Sequence, residues 1–464
     1  MDKGIIMKKS KITYVFFLAA LLFSLLVAQA DTKEASQNTP QNMEAELGIH
    51  LPMKVFNLSN GLRVILVEDH TVPIISYQTW YRVGSVDETP GMTGISHLFE
   101  HLMFKGTPKY GPKQFFLQLE AKGADVNAFT TRDYTVYHET FVPPLLEKVI
   151  DMESDRMSNL KLDDEVLGSE RMVVLEERKL RTDNTPDGQL QEALWSLAFK
   201  RHPYSWPVIG YPSDLMGLSV DQIIAYYRAH YQPNNAAVVI VGDFKTDRAL
   251  ALVKKYYEST PSRPKPKRDI PDEPEQTEER RLILHDEVAS ERFAEAYHAP
   301  SAKDDDSYAL DVLSNILFEG TTSRAYRKLV EEDDICLNVG GSDYTPTYPG
   351  LFIISGTMKG TNPTALAEAD LEGVIRDVQD HGVTNDEIKT AVRQLTVETV
   401  DSVLTTDGMA NLIGTVQTIF GDPQMYADDL KKYVKVTRED VKRVAIKYLN
   451  PNNRSIVIMK GMSK

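Results

Sequence analysis

Residues 63–67 and 351–356 are short apolar runs bounded by turn-forming residues, and each reads as a strand. Residues 145–160 and 364–379 instead return an apolar side chain every three to four positions, the period of an amphipathic helix. One such pattern occurs twice. Residues 218–235 align without a gap on 436–453: a hydroxyl cap (Ser219, Thr437) opens an amphipathic helix, Pro-Asn-Asn makes a turn, and β-branched strands follow at 237–241 and 455–459. An internal duplication is the economical explanation. Between the copies, residues 260–274 carry Pro261, Pro264, Pro266, Pro271 and Pro274 among charged residues, a composition that favours an extended linker. The fold class expected is α+β, twice over, with one domain over residues 31–258, a linker over 259–280 and a homologous domain over 281–464.

The N-terminus reads separately. Lys8, Lys9 and Lys11 precede an apolar run over residues 15–27, and Ala28-Gln-Ala30 offers a small-residue cleavage site, so residues 1–30 are expected to be a secretory signal peptide. The run is shorter than the roughly 20 residues a spanning helix needs, which argues against stable membrane insertion and for export across the inner membrane to the periplasm. Composition adds exclusions. The 464 residues are 42% hydrophobic and 26% charged, which fits a folded protein of more than one domain. The formal net charge is −15; loss of residues 1–30 removes four Lys and one Asp and leaves about −18, which makes nucleic acid an unfavourable partner. Cys336 is the single cysteine, so no internal disulfide can form.

Candidate chemistry lies in two helical stretches. Residues 93–106 read as a buried helix closed by Gly106, with His97, Glu100 and His101 interrupting its apolar surface. At about 100° per residue the two histidines lie roughly 40° apart, with Glu100 roughly 60° to the other side of His97. Two imidazoles one turn apart can grip a metal ion, and a carboxylate between them can reach a water held there without being a ligand. Residues 163–181 form the second helix, opened by acidic caps, with Val166, Val173 and Val174 as its inward stripe and Glu170 and Glu177 in the middle of that stripe. Glu176 falls roughly 120° away and should face solvent. Two carboxylates in an apolar stripe are costly to bury unless a cation or strong donors meet them.

His97-Leu-Phe-Glu-His101, followed 76 positions after His101 by Glu177, resembles the inverted zinc motif of the pitrilysin/insulinase metallopeptidases, which include mitochondrial processing peptidase. The resemblance extends over nearly the whole mature chain, from Leu58-Ser-Asn-Gly-Leu-Arg-Val-Ile65 to Gly320-Thr-Thr-Ser-Arg-Ala-Tyr326. It implies two homologous domains, each a largely antiparallel sheet packed with helices. It implies one Zn2+ per chain on His97, His101 and Glu177, with Glu100 as general base toward a zinc-bound water and Glu170 as a second acidic residue of the catalytic site. Asn127, Ala128, Phe129 and Thr130 resemble the family's edge strand, which binds peptide substrates by strand addition.

The sequence departs from the family where active members place an Arg and a Tyr that help hold substrate and the developing oxyanion: Val330 and Leu337 stand at those positions. Arg324 and Tyr344 are nearby but out of register. Two readings follow. The chain is the zinc-bearing subunit of a heterodimer whose homologous partner lacks the zinc motif and supplies the Arg and Tyr, or it is a non-catalytic assembly subunit like the core proteins of the respiratory cytochrome complex.

Overall fold

The apolar runs pair into two sheets in a computed structural model that describes residues 51–462. The first sheet contains β1 (Met53–Asn57), β2 (Arg63–Glu68), β3 (Ile75–Tyr81), β4 (Asp125–Thr130), β5 (Thr135–Phe141) and β6 (Ala236–Gly242), in the order β1-β2-β6-β3-β5-β4. The second contains β7 (Arg280–Asp286), β8 (Arg292–His298), β9 (Cys336–Tyr344), β10 (Leu351–Met358) and β11 (Arg454–Gly461), in the order β7-β11-β8-β10-β9. Each sheet has one parallel pair, β2 with β6 and β7 with β11, and the remaining pairs are antiparallel. The order β2-β6-β3-β5-β4 thus matches β7-β11-β8-β10-β9 strand for strand. Only β1 lacks a counterpart among the described residues. The fold is α+β in two copies, as expected.

The duplicated termini show why Pro-Asn-Asn recurs. Helices Val220–His230 and Arg438–Tyr448 each begin with a reciprocal capping box, Ser219 with Gln222 and Thr437 with Asp440. After each helix the second Asn of the turn donates its side-chain amide to two carbonyls, Asn235 to Arg82 and His230, and Asn453 to His298 and Tyr448. One amide therefore fastens a helix end to the end of a central strand in both copies.

Four helices position the site and join the halves: α1 (Ile95–Leu102), α2 (Asp164–Arg178), α3 (Pro186–Ala198) and α4 (Thr406–Phe420). Strands β3 and β6 are buried at every position, so both faces of the first sheet are covered. On one face Tyr77, Tyr81, Val238 and Ile240 pack with Leu98 and Phe99 of α1. On the other, Trp80, Val239 and Val241 pack with Ala410, Ile413 and Val416 of α4, from the opposite half of the chain. The second sheet mirrors this: Ala294, Ala296, Val457 and Met459 pack with Leu190, Leu194 and Trp195 of α3. Each half lends the other one helix.

Residues 261–278 have no regular secondary structure, yet they are fastened along their length. The Arg268 guanidinium pairs with both Asp87 oxygens at 2.7 Å, the Glu273 carboxylate accepts three successive backbone N–H groups from Lys200, Arg201 and His202, and buried Gln276 donates to the Arg454 carbonyl. The expected signal peptide, residues 1–30, lies outside the described residues. Among those described, no helix is long and apolar enough to cross a membrane.

Candidate metal centre

Helix α1 is fixed at its N-terminus by two devices. Gly94 takes a left-handed conformation, φ +85°, and a Cβ there would stand 2.5 Å from the Ile209 carbonyl oxygen. The buried Glu88 carboxylate accepts the otherwise unpaired N–H groups of Gly94 and Ser96, at 2.8 and 2.9 Å. The helix is shorter than residues 93–106. It ends at Leu102, and Gly106, φ +101°, serves instead a tight turn beyond it, where a Cβ would meet the Tyr110 carbonyl oxygen at 2.6 Å.

Helix α2 opens on Asp163, whose side chain accepts the Val166 N–H, and runs into a wide turn over Lys179–Asp183. Its buried stripe is Leu167, Glu170, Val174 and Arg178. Val173, expected inside, is 47% exposed: the stripe is narrower than the wheel suggested and is shared with charged residues. Arg178 donates to the Gly210 carbonyl and pairs with Glu192. Gly210 in turn packs against Gly94, so the far end of α2 is tied to the start of α1.

Together these helices bring His97, His101 and Glu177 to one point, with one ligand atom from each within 4.8 Å of the others. Among the described residues no other three His, Cys, Asp or Glu side chains converge in this way. Glu177 Oε2 lies 3.2 Å from His101 Nε2 and 3.8 Å from His97 Nε2, while its Oε1 pairs with Arg181 at 3.0 Å. Glu170 does not join the cluster directly. It sits behind it, 3.5 Å from His101 Nδ1, with Lys105 on its other oxygen. Glu176 points away, as expected, and pairs with Lys179 in solvent.

The three groups differ in their protonation. Burial, then the neighbouring His101, lowers His97 to about 4, so its imidazole is neutral and free to donate a lone pair. Burial also opposes charge on His101, yet Glu170 and Glu177 outweigh it and hold that ring up to about 9. The hydrogen bond from His101 holds Glu177 below the usual carboxylate range. Two imidazoles and one carboxylate form a donor set that suits zinc, and three protein ligands leave a position open. His97 Nδ1 is buried without a hydrogen-bond partner, so that ring has no competing anchor.

Glu100 stands beside this cluster. Burial pushes its carboxyl above the ordinary value, and Thr130 Oγ1 donates to its Oε2 at 2.7 Å. Thr130 belongs to β4 together with Asn127, Ala128 and Phe129. That strand lies at the outer edge of the first sheet and pairs only with β5 among the described residues. Lys105 and Arg181, missed in the sequence, sit four residues after His101 and Glu177, the helical spacing that could have found them.

Among the described residues the second half presents no comparable set. Val330 packs against the second core, and Leu337 is 56% exposed on β9. Arg324 is committed to Glu387 and Asp377, and Tyr344 meets Trp195 edge-on at 5.6 Å.

Two family models match the chain: insulinase (peptidase family M16) over residues 63–211, and the peptidase M16 inactive domain over residues 217–395. The chain belongs to peptidase family M16. Within that family it is 29% identical over 410 residues to the zinc protease PqqE of Helicobacter pylori, covering 87% of this chain and 91% of that one. A crystal structure of a protease from Helicobacter pylori superposes with a TM-score of 0.85 at 27% identity, covering 89% of this chain and all of that one. A chain of complex III2 from Candida albicans shares the M16 fold at a TM-score of 0.74 and 14% identity, covering 88% of this chain and 95% of that one. The inactive-domain match falls mainly on the second half, where the His and Glu constellation is missing.

Proposed function

We propose that this M16 chain is a zinc-dependent endopeptidase for peptides and unfolded segments, exported by its N-terminal signal to the periplasm. One observation carries the reading: His97, His101 and Glu177 converge within 4.8 Å, and Glu100 beside them is hydrogen-bonded to the open edge strand β4. Zinc held by these three residues would supply Lewis acidity toward water and the peptide carbonyl. The chain's own groups do the rest. The free backbone edge of Asn127–Thr130 adds an extended peptide as a further strand and sets its carbonyl beside Glu100. Glu100, its proton affinity raised by burial and its orientation fixed by Thr130, takes the proton of the attacking water and returns it to the leaving nitrogen. Glu170 and Lys105 hold the far side of His101.

The apolar Val330 and Leu337 leave the oxyanion without a side-chain donor from this chain's second half, so a homologous partner without the zinc motif supplies an Arg and a Tyr. Residues 31–258 and 281–464 are the two homologous domains, with 259–280 between them. The test measures zinc per chain and hydrolysis of a quenched fluorescent peptide for the wild-type chain and Glu100→Gln. One zinc in each, with hydrolysis lost only in the variant, supports the reading. Equal hydrolysis by both removes Glu100 from its role. Zinc binding without hydrolysis, even beside an Arg- and Tyr-bearing homologue, favours the assembly subunit.

A further inference from the structure

The two sheets differ at one edge. In the first, β2 lies between β6 and β1, and Ile65 and Leu66 are 0% and 1% exposed. In the second, β7 occupies the position of β2. It pairs in parallel with β11 in the same register, Arg280 opposite Ser455 as Arg63 is opposite Ala237. The residues equivalent to Ile65 and Leu66 are Leu282 and Ile283, and they are 37% and 46% exposed. No strand among the described residues covers β7 on the side away from β11. An apolar Leu-Ile-Leu centre on an open edge is a template for pairing with another chain.

The sequence of that edge, Arg280-Arg-Leu-Ile-Leu-His-Asp286, specifies its partner. When two copies run antiparallel about a twofold axis through Ile283, Ile283 faces itself, Leu282 faces Leu284, and Arg280 faces Asp286 at both ends. Moving the axis by one residue either way sets Arg280 opposite Leu284, or Leu282 opposite Asp286, and loses both charge pairs. Arg281 would face His285, but its charge is already matched by Glu279 and Glu368. Directly opposed side chains share a face of the sheet, so the Leu282–Leu284 contacts form on the face that α3 covers and the Ile283 contact on the other. We propose that β7 is a self-association edge. Two copies of this chain pair β7 to β7 in the register centred on Ile283 and join their second sheets into one ten-stranded sheet. The surface shares no residue with the metal centre, and the inference stands apart from the proposed chemistry.

Cysteine cross-linking of the zinc-loaded chain tests both pairing and register. Ile283→Cys should give a disulfide-linked dimer as the main product of mild oxidation. His285→Cys alone should not, because those residues sit four positions out of register, and Arg281→Cys combined with His285→Cys should link again. Cys336 is buried and stays out of the reaction. In analytical ultracentrifugation the wild-type chain should sediment as a dimer, and Ile283→Lys as a monomer that keeps its zinc. A wild-type chain that stays monomeric at tens of micromolar, a dimer that survives Ile283→Lys, or a cross-link at 285 as strong as at 283 overturns the proposal. So does a β7 edge that pairs only with a different homologue.

Discussion

Helix α4 joins the two halves at a point where a single methyl group should be felt. A Cβ on Gly414 would stand 2.0 Å from Trp80 Cε2 and 2.2 Å from its Nε1. The indole cannot retreat: Trp80, near the end of β3, is 1% exposed, and its Nε1 donates to Gln78 Oε1 at 2.9 Å. Gly414→Ala must therefore lift α4 from the sheet. Overpacking of a filled core costs about 1–3 kcal/mol, and an overlap this deep against an immobile ring belongs at the upper end. Replacing a helical glycine returns about 1 kcal/mol of backbone preference. The net is a loss of about 2 kcal/mol, which corresponds to roughly 4 °C in melting temperature at the sensitivity of a large domain. Gly373→Ala is the control, since a Cβ there meets nothing within 4 Å and the same helix preference should raise stability. Differential scanning calorimetry on both variants reads the comparison. If Gly414→Ala melts with or above Gly373→Ala, the close contact between α4 and β3 is wrong, and with it the account of how the halves hold together.

Glu177→Gln should lose zinc in metal analysis, whereas Glu176→Gln, whose side chain is 60% exposed and paired with Lys179, should keep a full equivalent. The isolated chain should hydrolyse peptides about 100- to 1,000-fold more slowly than when mixed with a homologue carrying the Arg and Tyr, the usual cost of a missing oxyanion donor. Full activity of the chain alone would refute the need for a partner. Burial raises buried Glu295 from 4.5 to about 7, so the stability it contributes is present below about 4.5 and is lost as pH rises through about 7. Glu295→Gln should flatten that part of the stability-versus-pH curve in urea titrations. An unchanged slope would mean that Arg454 keeps the carboxylate ionised throughout.

Much of the site was legible because helix geometry turns spacing into direction. His97, Glu100 and His101 within five residues fall on one side of α1, and Glu170 and Glu177, seven apart, on one side of α2, whatever the rest of the chain does; that the two sides meet is decided by packing. The same arithmetic failed where packing decides the outcome. Val173 lies on the expected side of the wheel but is exposed, because α2 meets its neighbours through Glu170 and Arg178 as well as through Val174. The pattern of α3 and α4 announces an apolar face and is silent on which sheet receives it. Leu190 and Leu194 cross to the second sheet and Ile413 to the first, and only the folded chain discloses the exchange. Buried charge was equally hidden. Arg156 has no exposed surface, lies between Glu139 and Glu153, and stands over the Tyr137 ring at 4.3 Å. In sequence it is one more basic residue on a helix whose polar face looks solvated. The exchange of helices has a consequence for function. Helix α4 covers the back of the sheet whose edge strand β4 carries Thr130, and Asp407 at its start accepts hydrogen bonds from Ser76 and Gln78 on β3, so the second half is joined to the sheet that carries the candidate site. Asp407→Ala, which removes those bonds from β3, should therefore lower the stability of the first sheet in urea titrations, and an unchanged midpoint would show that α4 is held by its apolar face alone.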